Sequence, residues 1–376
     1  MRNAFLAALA ILLFNACTHR QHGDDTDTTD TTIVWQPAAD TTRLTQTDTL
    51  ALDFIADTSP IAHSPFTADV LLKTTPVKSQ GRSSLCWVYA MLAAIETEHL
   101  MQGDSIDLSA DYVGYMYLRE QARRRYACAE RPITTRGMVS MLPQLLYRYG
   151  CEPWYTYHAD ADADYNALGR VLQTTVDAHR QQHSGFQRLM KDVDGRIEEV
   201  LGIAPRFVFM LSCEYTPLEF AHSVCRPDEY TALTSFTHHP FGQPFELEVP
   251  DNYYHDTFLN LPLDSLQTIV EHSLHTGHPV CWEGDTSETG FDFKNGTAQT
   301  DNEEETVTQS MRQGAFERFQ TTDDHCMTII GMAHDAKGKR YYICKNSWGR
   351  HNAFHGWMMM SEAYFRLKTI AVMVKL

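Results

Sequence analysis

The sequence predicts an α+β chain of two lobes, helical in its first half and built on an antiparallel, barrel-like sheet in its last. Three observations predict this. The run Cys86-Trp87-Val88-Tyr89-Ala90-Met91-Leu92-Ala93-Ala94-Ile95-Glu96 is apolar almost all round, which marks a buried helix. Helical patterns dominate as far as Gly277, and short β-prone runs separated by turns take over from Pro279. The chain has 376 residues, 43% of them hydrophobic, which is enough to build cores in both lobes.

Taken in order, residues 1–17 read as a targeting segment. Arg2 supplies a positive start, and Ala4 to Phe14 is an apolar run too short to span a bilayer as a mature helix. It ends in Leu13-Phe14-Asn15-Ala16-Cys17, which resembles the lipobox of bacterial lipoproteins, although Phe14 departs from the usual Leu. That resemblance implies a lipid on Cys17. Ordinary secretion with cleavage nearby and a retained anchor are the alternatives, and all three place the protein outside the cytoplasm; lipidation places it in the cell envelope. Residues 18–65 are rich in Thr and Asp and poor in large apolar side chains, so they cannot offset the entropy of ordering. They read as a tether that holds the following domain, residues 66–376, off the membrane.

Val70 to Val77 reads as extended, with Pro76 excluding a helix. The buried helix from Cys86 stops near Gly103. A second helix covers Ser109 to Arg125, started by Ser109, and a third runs from about Met138 to Tyr149 and ends at Gly150. A long insert, mostly helical, occupies about 158–265. Its helices are Ala167 to Gln187, Lys191 to Leu201 and a capped start at Thr216-Pro217-Leu218-Glu219. Leu263 to Thr276 is the last helix. The strands are Pro279–Trp282, Cys326–Met332, Arg340–Lys345, Gly356–Met360 and Ile370–Lys375. The acidic run Asp301 to Glu305 reads as a solvated loop.

Charge and cysteine content narrow the function classes. The net charge of −17 argues against a nucleic-acid partner, since phosphate binding needs a basic surface. Of the nine cysteines, Cys17 and Cys86 have readings of their own, and the odd remainder leaves at least one free thiol with the pairing open. Neither a C-x-x-C pair nor an H-E-x-x-H motif occurs, so neither a metal nor a cofactor is expected.

Three stretches carry chemistry. In Thr75-Pro76-Val77-Lys78-Ser79-Gln80-Gly81-Arg82-Ser83-Ser84-Leu85-Cys86-Trp87 a cysteine heads a buried helix, where free N–H groups and the helix dipole favour a thiolate. Gln80 lies upstream on a Gly/Ser turn, and its amide, with the Cys86 backbone N–H, could donate to an oxyanion. A buried structural cysteine is the plain alternative. In Asp324-His325-Cys326-Met327-Thr328-Ile329-Ile330-Gly331 a histidine heads an apolar strand; alone, it reads equally as a structural histidine. In Tyr341-Tyr342-Ile343-Cys344-Lys345-Asn346-Ser347-Trp348-Gly349 an asparagine ends a strand and Trp348 follows to cover it. A shielded amide suits the orientation of an imidazole, and a simple turn is the alternative.

Together these stretches resemble the three catalytic motifs of the papain-like cysteine peptidases, in the same order. Pro132 to Tyr157 is similar to that family's substrate-groove segment, through Gly137, the helix to Gly150 and Trp154-Tyr155. The resemblance covers residues 74–157 and 278–376. It implies a papain-like fold, with Cys86 as nucleophile, His325 as general acid/base, Asn346 as its orienter and Gln80 as oxyanion donor. It also implies Gly137 and Trp348 on the substrate path, peptide or protein substrates, and hydrolysis through a thioester. A catalytically inactive binding module and an acyltransferase with an amine acceptor are the other classes. The insert, with Tyr215-Thr216-Pro217-Leu218-Glu219-Phe220 and Pro279-Val280-Cys281-Trp282-Glu283-Gly284-Asp285, is most similar to the bleomycin hydrolase and aminopeptidase C branch. Departures are Ser83 in place of a disulfide cysteine, Arg136 in place of the first groove glycine, and Leu85 before the nucleophile. The family's long inhibitory propeptide and the branch's groove-filling C-terminal arm have no counterpart, which leads to the expectation of an open groove and endopeptidase or poorly restricted action.

Overall fold

The computed structural model describes Ile61 and residues 64–128, 131–210 and 212–375. The targeting segment with Cys17, and the tether apart from Ile61, Ser64 and Pro65, lie outside the described residues. Ile61 is buried in the hydrophobic cluster that includes Ile330 and Tyr341, so packing begins a little before Phe66.

Strand β1 (Thr67–Leu71) leads through an extended segment to α1 (Cys86–Met101), α2 (Ala110–Cys128) and α3 (Leu142–Tyr149). The insert supplies α4 (Tyr165–Gln181) and α5 (Phe186–Leu201), a hairpin of β2 (Val208–Met210) and β3 (Cys213–Tyr215), and α6 (Pro217–Val224). It then turns to strands β4 (Thr231–Thr234), β5 (Pro244–Glu246) and β6 (Thr257–Asn260). After α7 (Leu263–His275) come β7 (Val280–Gly284), β8 (Phe291–Asp292), β9 (Thr297–Ala298) and α8 (Gln309–Glu317). The chain closes with β10 (His325–His334), β11 (Arg340–Lys345), β12 (Trp357–Ser361), α9 (Glu362–Lys368) and β13 (Thr369–Val374).

The helical lobe and the sheet lobe of the papain-like arrangement are both present. Apart from the β2–β3 hairpin, which stands as its own two-stranded sheet, the strands form one sheet in the order β5-β6-β4-β13-β7-β10-β11-β12-β9-β8, with β1 beside β10. It is antiparallel except where β4 meets β6 and β12 meets β9. Strand β10 is its spine. Residues 325–329 pair with β7, and past an irregularity at Ile329 and Gly331 the rest pairs with β1, so one strand serves two neighbours on the same side. The insert is therefore helical only as far as α6. Its second half extends the edge of the sheet with strands that the sequence did not show.

Local chemistry accounts for the helix ends. Ser109 Oγ accepts from Tyr112 N at 3.0 Å, and Thr216 with Glu219 closes a capping box at α6. Gly150 follows α3 at φ 88°, and a Cβ there would fall 2.4 Å from the Pro217 carbonyl carbon, so only glycine lets α3 abut α6. One core surrounds α1 to α5. A second lies between the sheet and the Leu266, Val270 and Leu274 stripe of α7.

The seam between the lobes carries buried charge. Helix α1 is buried from Trp87 to Glu98, so it takes Glu96 and Glu98 inside. Glu96 pairs with Lys78 at 2.9 Å and accepts from Thr75, while Lys345 Nζ donates to Thr75 Oγ1 at 2.7 Å. Against the burial that opposes it, Lys78 and Lys345 hold the Glu96 carboxyl below its usual range. Thr328 of β10 donates to the Ala90 carbonyl at 2.6 Å and ties the strand directly to the helix. Glu96→Ala strands Lys345 in the interior, leaves Lys78 with Asp107 alone, and is expected to cost about 3–5 kcal/mol. Arg340→Ala breaks only partly exposed pairs with Glu271 and Glu362 and should cost under about 1 kcal/mol. Urea unfolding midpoints of the two variants check the contrast.

Candidate active site

Helix α1 begins at Cys86 with no side chain capping its first turn and no acidic residue in it. Its unsatisfied N–H groups and dipole therefore bear on the cysteine sulfur undiluted. Three further neighbours act on that sulfur: the Cys326 thiol, His325 and the Cys326 backbone N–H. Led by the Cys326 hydrogen bond, and against the opposing burial, they hold the Cys86 thiol well below its ordinary range.

His325 is 3% exposed and heads β10. Its Nε2 lies 2.7 Å from Asn346 Oδ1, which leaves Nδ1 for the sulfur. Asn346 follows the end of β11, and its Oδ1 also accepts from Ser347 N at 2.7 Å, which fixes the amide. The Trp348 ring sits 4.4 Å from the His325 ring and is flanked by Phe291 and Phe293. This apolar cover keeps water off the imidazole–amide bond, a shielding role beside the substrate-path role expected for Trp348.

Gln80 is held from both ends. Its Nε2 donates to Ser83 O at 2.9 Å, and its Oε1 accepts from Ser347 Oγ at 2.7 Å. One amide N–H remains for an incoming oxygen. The backbone repeats the link, with Gln80 N on Ser347 O at 2.8 Å and Gly349 N on Lys78 O at 3.1 Å. The Gln80 turn and the Asn346 turn are thus stitched together from opposite lobes.

Gly137 lies against the loop that leads into Cys86. Trp87 Nε1 donates to Thr135 O at 2.9 Å, and a Cβ on Gly137 would fall 2.9 Å from Trp87 Cε2. Here glycine answers to the tryptophan behind it. Arg136, which stands in place of the first groove glycine, reaches away to the insert: its Nε donates to both oxygens of Asp251 at 2.9 Å, and its Nη2 donates to Asp323 O at 3.2 Å.

Sequence reasoning brought Cys86, His325, Asn346, Trp348, Gln80 and Gly137 together, and they are together here. It missed Cys326, Ser347 and the acidic group Asp251, Glu283 and Asp323. Cys326 follows His325 directly, and that adjacency was the available signal. The eight cysteines of the described residues are all free thiols, so no pair among them forms a disulfide.

A profile described as the Peptidase C1-like family matches residues 170–376. Aminopeptidase W of Lactobacillus delbrueckii subsp. lactis is 23% identical over 365 residues, covering 82% of this chain and 83% of its own. Aminopeptidase G of the same organism is 22% identical over 358 residues, covering 81% of each. Among solved structures, PepW from Lactobacillus rhamnosis HN001 is similar over 90% of this chain and 89% of its own, with a TM-score of 0.66 at 18% identity, a likeness of fold.

Peptide-resolved alkylation by iodoacetamide across pH tests the sulfur's environment. Cys86 should react at full rate well below the pH at which an ordinary thiol does. Cys151, pushed up by burial and by Glu152, should stay inert. Cys326→Ala removes the S–H donor and should move the Cys86 profile upward by about 0.5–1 pH unit.

Proposed function

The chain belongs to the Peptidase C1-like family and is a cysteine peptidase, and from that premise we propose that it cleaves peptide bonds through a thioester on Cys86. The Cys86 thiolate attacks the peptide carbonyl. The oxyanion is held by the free N–H of Gln80 Nε2 and the Cys86 backbone N–H. His325 passes a proton to the leaving amine, then takes one from the water that hydrolyses the thioester. Asn346 keeps the imidazole turned toward sulfur through both steps, and Gly137 lines the path of the substrate backbone. The observation that carries this reading is His325, held by Asn346 at 2.7 Å under a tryptophan and acting on the Cys86 sulfur, whose thiol it helps hold below its ordinary range. An inactive binding module has no use for a thiol held below its ordinary range.

The relatives are named aminopeptidases. Their names support action at a free N-terminus, the reverse of the endopeptidase expectation drawn from sequence. The proposed layout is a signal segment at 1–17, a tether at 18–65 and the peptidase domain at 66–376. Lipidation of Cys17 would hold the enzyme on the outer side of a bacterial membrane, and the lipobox-like end of the apolar run supports that reading.

Digestion of a diverse peptide library, read by mass spectrometry, tests the chemistry. Cys86→Ala should lose at least about 10⁴-fold in kcat/KM, and Asn346→Ala about 10- to 100-fold with the pH profile displaced. Cleavage by Cys86→Ala at the wild-type rate would contradict the assignment. For the anchor, Cys17→Ser should move the protein from the membrane pellet to the supernatant after cell disruption. Unchanged pelleting would contradict it.

A further inference from the structure

Beside Cys86 lies a carboxyl pair that the hydrolytic steps do not use. Glu283, on β7, is fully buried, and Asp323, two residues before His325, is 7% exposed. Across the β7–β10 pairing Glu283 faces Cys326, the residue that donates to the nucleophile. Val139 N, from the segment just past Gly137, donates to Glu283 Oε2 at 3.4 Å, and Arg136 Nη2 donates to the Asp323 carbonyl. The pair therefore bridges the sheet lobe and the groove segment, on the Gly137 side of Cys86.

Neither acid forms an ion pair among the described residues. The nearby guanidinium of Arg136 spends its Nε on Asp251 and reaches Asp323 only at the main chain. Glu283 Oε1 and Asp323 Oδ2 are buried, and no described residue outside the pair donates to either. Burial first, then the neighbouring carboxylate, pushes Glu283 well above the usual range, and burial with the charge of Asp251 pushes Asp323 to about 7. The two carboxyls share a proton in the absence of a cation. Holding two acids here for structure alone gains nothing, since the rest of this strand, Val280, Cys281 and Trp282, is apolar and buried.

We propose that Glu283 and Asp323 form a receptor for a positively charged group of the substrate, an ammonium or a guanidinium placed within two residues of the scissile bond. Asp323 forms the rim that meets the cation, and Glu283 lies beneath and completes its coordination. Docking displaces the shared proton to solvent, so the site exchanges one positive charge for another. The cation has two sources in a peptide, a free α-amino group or a basic side chain. The inference rests on the peptidase reading and adds a substrate class to it.

The test measures kcat/KM per molecule of Cys86 titrated with an epoxide thiol inhibitor. One arm compares peptides with Arg or its neutral isostere citrulline at each of the two positions on either side of the cleaved bond. The other compares free with acetylated α-amino groups. Removing the cation in at least one arm should lower kcat/KM about tenfold or more in the wild type, and the arm that responds names the source. In Asp323→Asn and Glu283→Gln the same ratio should fall to within about twofold of one. Should those variants not fold, the wild-type ratios alone decide. Ratios near one in both arms, with Cys86 labelled, overturn the receptor and leave the peptidase standing. A Cys86 that takes no label and a chain that cleaves neither peptide overturn both.

Discussion

Helix α1 takes two carboxylates into the protein interior, and the need to neutralise them sets the geometry of everything around Cys86. Glu96 lies ten residues along the helix from the nucleophile, a rigid separation of about 15 Å. It is met by Lys78 and Lys345, and Glu98 is met by His278 and Lys375. Lys78 stands two residues before Gln80, and Lys345 stands directly before Asn346. The charges that bind the lobes together therefore fix Gln80 and Asn346 relative to the helix head. A shift of the seam would cost buried ion pairs and would separate the reacting groups at the same time.

At the helix head the problem is to keep one anion stable among others. The Cys86 thiolate has the helix dipole, the Cys326 thiol and His325 on its side. Asp251, Glu283 and Asp323 are close enough for each to feel its charge. Arg136 offsets Asp251. The proton held between Glu283 and Asp323 takes away most of the remaining repulsion, so an acidic surround and an ionised sulfur coexist. A substrate cation in the place of that proton would preserve the balance.

Much of this was legible in the sequence, for identifiable reasons. Helix α1 and strand β11 follow from local pattern, and Cys86, His325 and Asn346 were singled out because each sits where a helix or strand begins or ends. What was hidden depends on tertiary partners. Strands β4 and β6 are four residues each and pair in parallel, so neither shows a hairpin turn or a long alternation. Helix α8 is polar in composition. It is held by Arg312, fully buried, whose guanidinium donates to the Ser235 and Arg366 carbonyls, whereas an arginine in sequence reads as surface. Cys326 and Ser347 gain their roles only when β10 and β11 close on α1 and the Gln80 turn. Asp251 lies far along the chain from Arg136, and no local pattern joins them.

The account stands on a sulfur that is ionised and turned toward a carbonyl by groups from the other lobe. Acid quenching of the enzyme during turnover of a slow peptide ester, followed by mass spectrometry of the Cys86 peptide, tests that most directly. The account predicts an acyl mass on Cys86 that hydroxylamine removes and that fails to build up in His325→Ala. Turnover with no acyl mass on Cys86, at a rate indifferent to His325→Ala, would contradict it.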